Sequence, residues 1–364
     1  MALDPHVQAA LRVALVGLGE AGATLHLPAL SRLASATVVC VCDRDGGRLA
    51  HAAARWHVPP FADVDRLLDH TGPDVVVVGT PPDTHAELCV RALSRGAHVI
   101  CEKPFTATRE QADAVLKAAA QAGRQVAVNH EFREMPIFRT LIDAARAGRD
   151  GDLLFAQVWQ LVPVAPWTEG GWRGQLTRRT LFEAGVHLFD VLVSLFGELP
   201  VSVQASTSAA GLDPQGRDAI VVATCEFSRG RLGVLLQDRL CRGERQYFEV
   251  RADAERASWR ASFGGRARVA AGWHRALRPH VRIEYGASGL AWRETGARRT
   301  IVARNPRHPN VAATRAVFER TLAAFRDGTE PPTSGAAARR LMAVVDACYE
   351  SAAAGRRIRL EPPS

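Results

Sequence analysis

Short apolar runs alternate with helical patterns along the first third of the chain. Residues 12–17 (RVALVG) are apolar and rich in β-branched side chains, and they lead through GLGEAG into a helical pattern from Ala21 to Leu33. A second run, ATVVCVCD, ends at Asp43; a helix is expected through about Arg55, then a short extended piece at HVPPF. The valines of DVVVVGTPP (74–82) are continuous, the pattern of a strand covered on both faces of a parallel sheet. A helix from Asp83 to Ser94, the strand AHVIC with the turn EKPF, a helix to Gly123 and the strand RQVAVNH complete the series. Strands alternating with helices of this length predict a doubly wound parallel sheet, an α/β Rossmann fold, to about residue 130.

The rhythm then changes. A helix over 135–147 and the strand LLFAQVWQLV lead into a loop rich in Pro, Gly and Trp, followed by a helix opening at RRTLFEAGVHLFD (178–190). From Val201 to about Arg304 the pattern is mostly strands: VSVQAS, DAIVVATCEF, RLGVLLQDRL, QYFEVRA, RASWRAS, VRIEYG, LAWRE and RTIVA. Helices are expected over roughly 309–326 and 336–353. The pattern therefore divides the chain into a Rossmann domain, 1–130, and an α/β domain, 131–364, with a large, mostly antiparallel open sheet. Its last helices are free to pack back on the first domain.

The 364 residues, 47% of them hydrophobic, suffice for two cores. No apolar run approaches the roughly 18 residues of a membrane span, and the first residues lack a signal-peptide pattern, so a cytoplasmic protein is expected. Seven cysteines without a C-x-x-C pair predict reduced thiols and no metal site, with Cys40 and Cys42 as small buried hydrophobes. The net charge of +8 raises nucleic acid as a partner, but the arginines are scattered and no basic run is interleaved with aromatics. A basic surface favours phosphorylated or nucleotide-linked substrates instead. Among the 46 basic residues only Lys103 and Lys117 are lysine. Lys117 falls on a helix surface; Lys103 lies in CEKPF.

Two constellations carry chemistry. Gly17-Leu18-Gly19-Glu20-Ala21-Gly22 is G-x-G-x-x-G between a strand and a helix, the context of a pyrophosphate site at a helix N-terminus. Asp43 ends the second strand, placed to accept from an adenosine ribose diol. It favours NAD, whereas Arg44 beside it keeps NADP as the alternative. In the second constellation, about 100° per residue brings Glu183, His187 and Asp190 onto one stripe of a helix whose other residues are apolar. The stripe is either a solvated face or a site.

At Glu102-Lys103-Pro104 the chain resembles the Gfo/Idh/MocA oxidoreductases, dehydrogenases acting mainly on sugars and cyclitols. The resemblance rests on GLGEAG, TPPDTHAEL (80–88), EKPF (102–105), NHEFREMP (129–136) and EAGVHLFD (183–190), in order along nearly the whole chain. It implies a Rossmann domain and a C-terminal α/β domain whose sheet supports a homodimer or homotetramer, with substrate bound between domains. It implies Lys103 as the active-site lysine, a hydrogen-bond donor to the reacting oxygen that also neighbours the cofactor. His187 is implied as the general base, with Glu183 as the third catalytic residue where the family usually has aspartate. Thr80, Pro81, Pro82, His85 and Glu102 join the glycine loop, Asp43 and Arg44 as cofactor contacts. Substrate contacts are expected from Asn129, His130, Trp172, Arg173, Arg178, Arg179 and Asp190; Arg178 and Arg179, replacing the family's glycines, suggest a pocket that meets an anion. The leading function is NAD(P)-dependent oxidation of a sugar, nucleotide-sugar or cyclitol alcohol, or the reverse. The alternatives are redox-neutral elimination or epimerisation through a transient hydride step, and a non-catalytic cofactor-binding scaffold.

Overall fold

A computed structural model describes residues 9–243, 245–264, 268–273, 279–284 and 289–361. Residues 1–8, and Tyr285 and Gly286 of the expected strand VRIEYG, lie outside them. The chain divides into two compact units, Met1–Glu134 with Asn310–Met342, and Met135–Pro309 with Ala343–Ser364.

In the first unit, six parallel strands, β1 (Leu11–Val16), β2 (Ala36–Cys42), β3 (Pro60–Phe61), β4 (Val75–Val78), β5 (His98–Cys101) and β6 (Val126–Val128), are ordered β3-β2-β1-β4-β5-β6. This is the doubly wound order, and its reversal between β1 and β4 makes a crevice at their carboxyl ends. Successive side chains of a strand face opposite ways, so every second residue of β1 enters a different core. Ala14 and Val16 pack with Leu67, Leu93 and Val115 on one face; Val13 and Leu15 pack with Leu27, Leu30 and the late-helix residues Phe318 and Leu322 on the other. Each fully buried valine or leucine is worth roughly 1.5–3 kcal/mol, which is why β4 has no polar position. The late helix Pro309–Asp327 thus covers one sheet face, and the chain after it closes the β6 edge: Val128 N donates to Thr333 O at 2.8 Å.

Three helices start where the sequence offers a side-chain cap. Asp45, Asp63 and Thr108 accept from Arg48, Arg66 and Gln111 N respectively. The helix Val64–Thr71 is an addition to the expected series. The helix after β1 departs from the expected pattern too: residues Gly22–His26 form a wide π turn that continues α-helically over Leu27–Leu30.

In the second unit a nine-stranded sheet contains β7 (Leu153–Leu161), β8 (Ser202–Ser208), β9 (Ile220–Glu226), β10 (Leu232–Asp238), β11 (Gln246–Ala254), β12 (Ser258–Phe263), β15 (Leu290–Thr295), β16 (Arg298–Arg304) and β17 (Ile358–Arg359). Their order is β16-β15-β12-β11-β7-β10-β9-β8-β17, and β13 (Arg268–Trp273) pairs with β14 (Pro279–Glu284) separately. All pairs of the nine are antiparallel except β7 with β10. Helices Pro136–Arg146 and Val186–Phe196 cover one face. The other face presents half-buried or exposed Trp159, Val222, Leu232 and Leu236. No helix among the described residues is long and apolar enough to cross a membrane.

Candidate active site

The glycine loop shows which of its glycines the protein itself requires. Gly17, at φ +98°, lies so close to β4's exit that a Cβ would stand 2.7 Å from the Gly79 carbonyl. At Gly22 a Cβ would run into Gly17 O. Gly19 is different: the nearest atom to a Cβ there is Arg48 Nη1 at 3.8 Å, so nothing in the fold calls for glycine. The open space beside the backbone of Gly19, at the mouth of the helix begun by Glu20 and Ala21, fits a pyrophosphate. Asp43 braces this loop, accepting from Leu18 N at 2.7 Å and Asp45 N at 2.8 Å. Each oxygen keeps a further lone pair for a ribose hydroxyl. Arg44 is exposed. Arg48, on the helix after β2, is the cation beside Gly19, and only the turn geometry discloses it.

Lys103 is half-buried in the turn after β5, and that turn is held from two sides. His85, fully buried, sets one ring nitrogen 2.7 Å from Thr80 O and the other 3.0 and 3.1 Å from Pro104 O and Phe105 O. It therefore ties the Thr80-Pro81-Pro82 turn to the lysine turn, while burial lowers its pKa. On the other side Glu102 Oε1 accepts from Asn129 Nδ2 at 2.7 Å and lies 2.7 Å from His26 Nε2, and Glu102 Oε2 accepts from Lys103 N at 3.0 Å. Burial alone would raise the Glu102 carboxyl, but the His26 contact, the Lys103 charge and the Asn129 amide bring it down to about 2. Asn129 and His130 are both buried, and the amide nitrogen of Asn129 serves Glu102. His26 gave no signal in the sequence beyond being a lone histidine in an apolar helix.

In the second unit Glu183, His187 and Asp190 are 8%, 7% and 1% exposed, so the stripe is not a solvated face. Residues Leu181–Gly185 form a π turn, a feature concentrated at functional sites, and Val186–Phe196 continues as α-helix. Gly185 permits the helix to approach the sheet: a Cβ there would meet Gln237 Oε1 at 2.8 Å. Glu183 Oε2 accepts from Arg179 Nη1 at 3.0 Å and Oε1 from Arg173 Nε at 3.3 Å. Arg179, 0% exposed, also donates to Glu169, as does Arg239 at 2.7 Å. Burial and the charge of Arg179 lower the Arg239 pKa against the pull of both glutamates. The neighbouring arginine has a separate task, since Arg178 pairs with Asp346 at 2.6 Å and lies over the Tyr349 ring. Trp172 is half-buried beneath the Arg173 guanidinium, 4.5 Å from it. Glu169, Arg239 and Asp218 went unseen in the sequence because they reach this helix from a loop and from distant strand ends.

A doubly wound parallel sheet with open space at Gly19 beside its switch point, and a carboxylate at the end of the next strand, is the architecture of a dinucleotide-binding domain. Residues 11–130 match the oxidoreductase family with the NAD-binding Rossmann fold, and residues 138–258 match the GFO/IDH/MocA C-terminal domain. The chain is 30% identical over 282 residues to inositol 2-dehydrogenase 4 of Saccharopolyspora erythraea, covering 76% of this chain and 78% of that one. It is 27% identical over 353 residues to D-apiose dehydrogenase of Paraburkholderia graminis, covering 96% and 89%. Several other relatives are matched over only about half their own length, one of them over 55%. A solved oxidoreductase from Agrobacterium radiobacter, in complex with NAD+, L-tartaric acid and magnesium, shares the fold with a TM-score of 0.79 at 19% identity, covering 96% and 98%. The chain belongs to the Gfo/Idh/MocA family of NAD-binding oxidoreductases.

Proposed function

We propose that the protein transfers a hydride between NAD, with NADP as the alternative, and a secondary hydroxyl or ketone of a sugar, nucleotide sugar or cyclitol. The observation that carries this reading is the space at Gly19, which no described residue fills, beside the backbone-braced carboxylate of Asp43. The relatives named for inositol and D-apiose support the substrate class. When bound, the nicotinamide supplies the hydride acceptor or donor. Lys103 donates a hydrogen bond to the reacting oxygen and stabilises its alkoxide character. His187 takes the hydroxyl proton, or returns it in reduction. Glu102 and His85 fix the turn that presents Lys103, and Glu183 holds arginines beside His187's helix.

The exposed and half-buried apolar side chains on the uncovered sheet face support a homodimer or homotetramer built on a second copy of this chain. A cytoplasmic location accords with the thiols, all seven of which are free.

Lys103→Met and His187→Ala should each reduce turnover by roughly a hundredfold or more while NAD affinity stays nearly intact. Gly19→Ala complements them. Among the described residues its Cβ meets nothing nearer than Arg48 Nη1 at 3.8 Å, so the thermal midpoint should hold while calorimetric NAD affinity falls at least about tenfold. Unaltered turnover in the first two variants on a verified substrate would dismiss their catalytic roles.

A further inference from the structure

We infer that the substrate carries an anionic group, a carboxylate or a phosphate ester, and that Arg173 receives it; this rests on the hydride-transfer reading above. Three guanidiniums, Arg173, Arg179 and Arg239, share two carboxylates, Glu169 and Glu183. In the same unit Arg217 and Arg231 each have a carboxylate of their own, Asp213 and Glu198, whereas the half-buried Arg260 and Arg299 share Glu294. Asp218, the next carboxylate, is engaged by Arg179 N, Leu181 N and the Tyr349 hydroxyl. Those three donors are neutral and no guanidinium among the described residues is ion-paired to Asp218, so the cluster sets three guanidiniums on two directly paired carboxylates. A buried guanidinium nitrogen left without a partner is unfavourable.

The excess leaves visible traces. Arg239 Nη1 and Arg179 Nε are buried and have no hydrogen-bond partner among the described residues, Arg239 Nη1 standing 3.8 Å from Glu183 Oε2. Arg173 is the outlet of the cluster. Its side chain is 34% exposed, its Nε is used on Glu183, and its plane lies over Trp172, while neither terminal nitrogen has a partner among the described residues. A planar fork held from one side by a carboxylate and from below by an indole is prepared for bidentate contact with a carboxylate or phosphate. A neutral polyol would leave the terminal fork of Arg173 without an ionic partner, whereas a carboxylate or a phosphate ester supplies one. Glu183 then acts as a positioning residue that aims Arg173.

The test compares D-glucose, D-glucuronate and glucose 6-phosphate, together with the aldonates and phosphates of other aldoses, at fixed ionic strength. Initial rates of nicotinamide reduction and calorimetric binding to the NAD-loaded enzyme are both read. The expected result is that the best substrate carries a carboxylate or a phosphate, the panel showing which. Arg173→Met should raise KM for that substrate at least tenfold more than for its neutral counterpart, and Arg173→Lys should restore part of the preference. A neutral sugar as best substrate, or an acid preference untouched by Arg173→Met, overturns the inference. Should no alcohol be oxidised at all, the hydride-transfer reading fails separately. Binding of inorganic phosphate, glucuronate and glucose 6-phosphate then decides the anion site: loss of binding in Arg173→Met upholds it, and no binding to the wild type ends it.

Discussion

Glu183 uses its full length, spanning from a buried helix to Arg173 and Arg179 at once. An aspartate would end about 1.5 Å short and could not hold both. Glu102 has a comparable role in the first unit, where its low pKa couples stability to acid. A carboxyl brought from an ordinary value of 4.5 down to about 2 contributes stability that is complete above pH 4.5 and is lost as pH falls through 2. Glu102→Gln should therefore lower the thermal midpoint at pH 6 to 7, and the gap to wild type should close between pH 4.5 and 2. A gap constant across that range would show that the charge of Glu102 is not what braces the lysine turn. At this scale the sequence named residues whose protein contacts only the fold discloses. His85 and Asn129 were expected to meet cofactor and substrate; in the fold both ring nitrogens of His85 lie against the carbonyls of Thr80, Pro104 and Phe105, and Asn129 Nδ2 donates to Glu102 while its buried Oδ1 has no hydrogen-bond partner among the described residues.

The helix carrying His187 begins without a side-chain cap of its own, and Asp218 provides one from 37 residues downstream of Leu181. Its carboxylate accepts from Arg179 N at 2.7 Å and Leu181 N at 2.8 Å. Asp218→Ala would strand both donors and the Tyr349 hydroxyl, a loss of about 2 kcal/mol or more. The expected outcome is a clearly lower thermal midpoint together with reduced turnover, and Asp218→Asn should recover part of each by keeping one acceptor. An unchanged midpoint would remove Asp218 from the support of this helix. Elements fixed by local pattern were legible: the valines of β4 and the glycine turn after β1 announced the Rossmann sheet. The helix Val64–Thr71 escaped because only Leu67 and Leu68 are buried in it. The π turns were not legible, since periodicity assumes one constant angle per residue. The parallel pairing of β7 with β10 joins strands some 80 residues apart, and no local signal encodes such a partner.

For the whole molecule, the proposed homo-oligomer rests on the uncovered face of the nine-stranded sheet. Val222 and Leu236 are paired across β9 and β10, and Val222 is 45% exposed. Placing arginine at both should convert a dimer or tetramer to a monomer in light scattering at micromolar concentration. A wild type already monomeric there would refute the proposed assembly. The discontinuity of the first unit has a further consequence, and it is one of time. The residue that closes the β6 edge, Thr333, follows Val128 by roughly 200 residues, about 10–40 s of synthesis at ordinary ribosomal rates. Through that interval the nascent sheet has Phe318 and Leu322 still to come over one face and an unpaired strand at its margin. The ribosome thus releases a nucleotide-binding half that must wait for the other half to be made before its own sheet is complete.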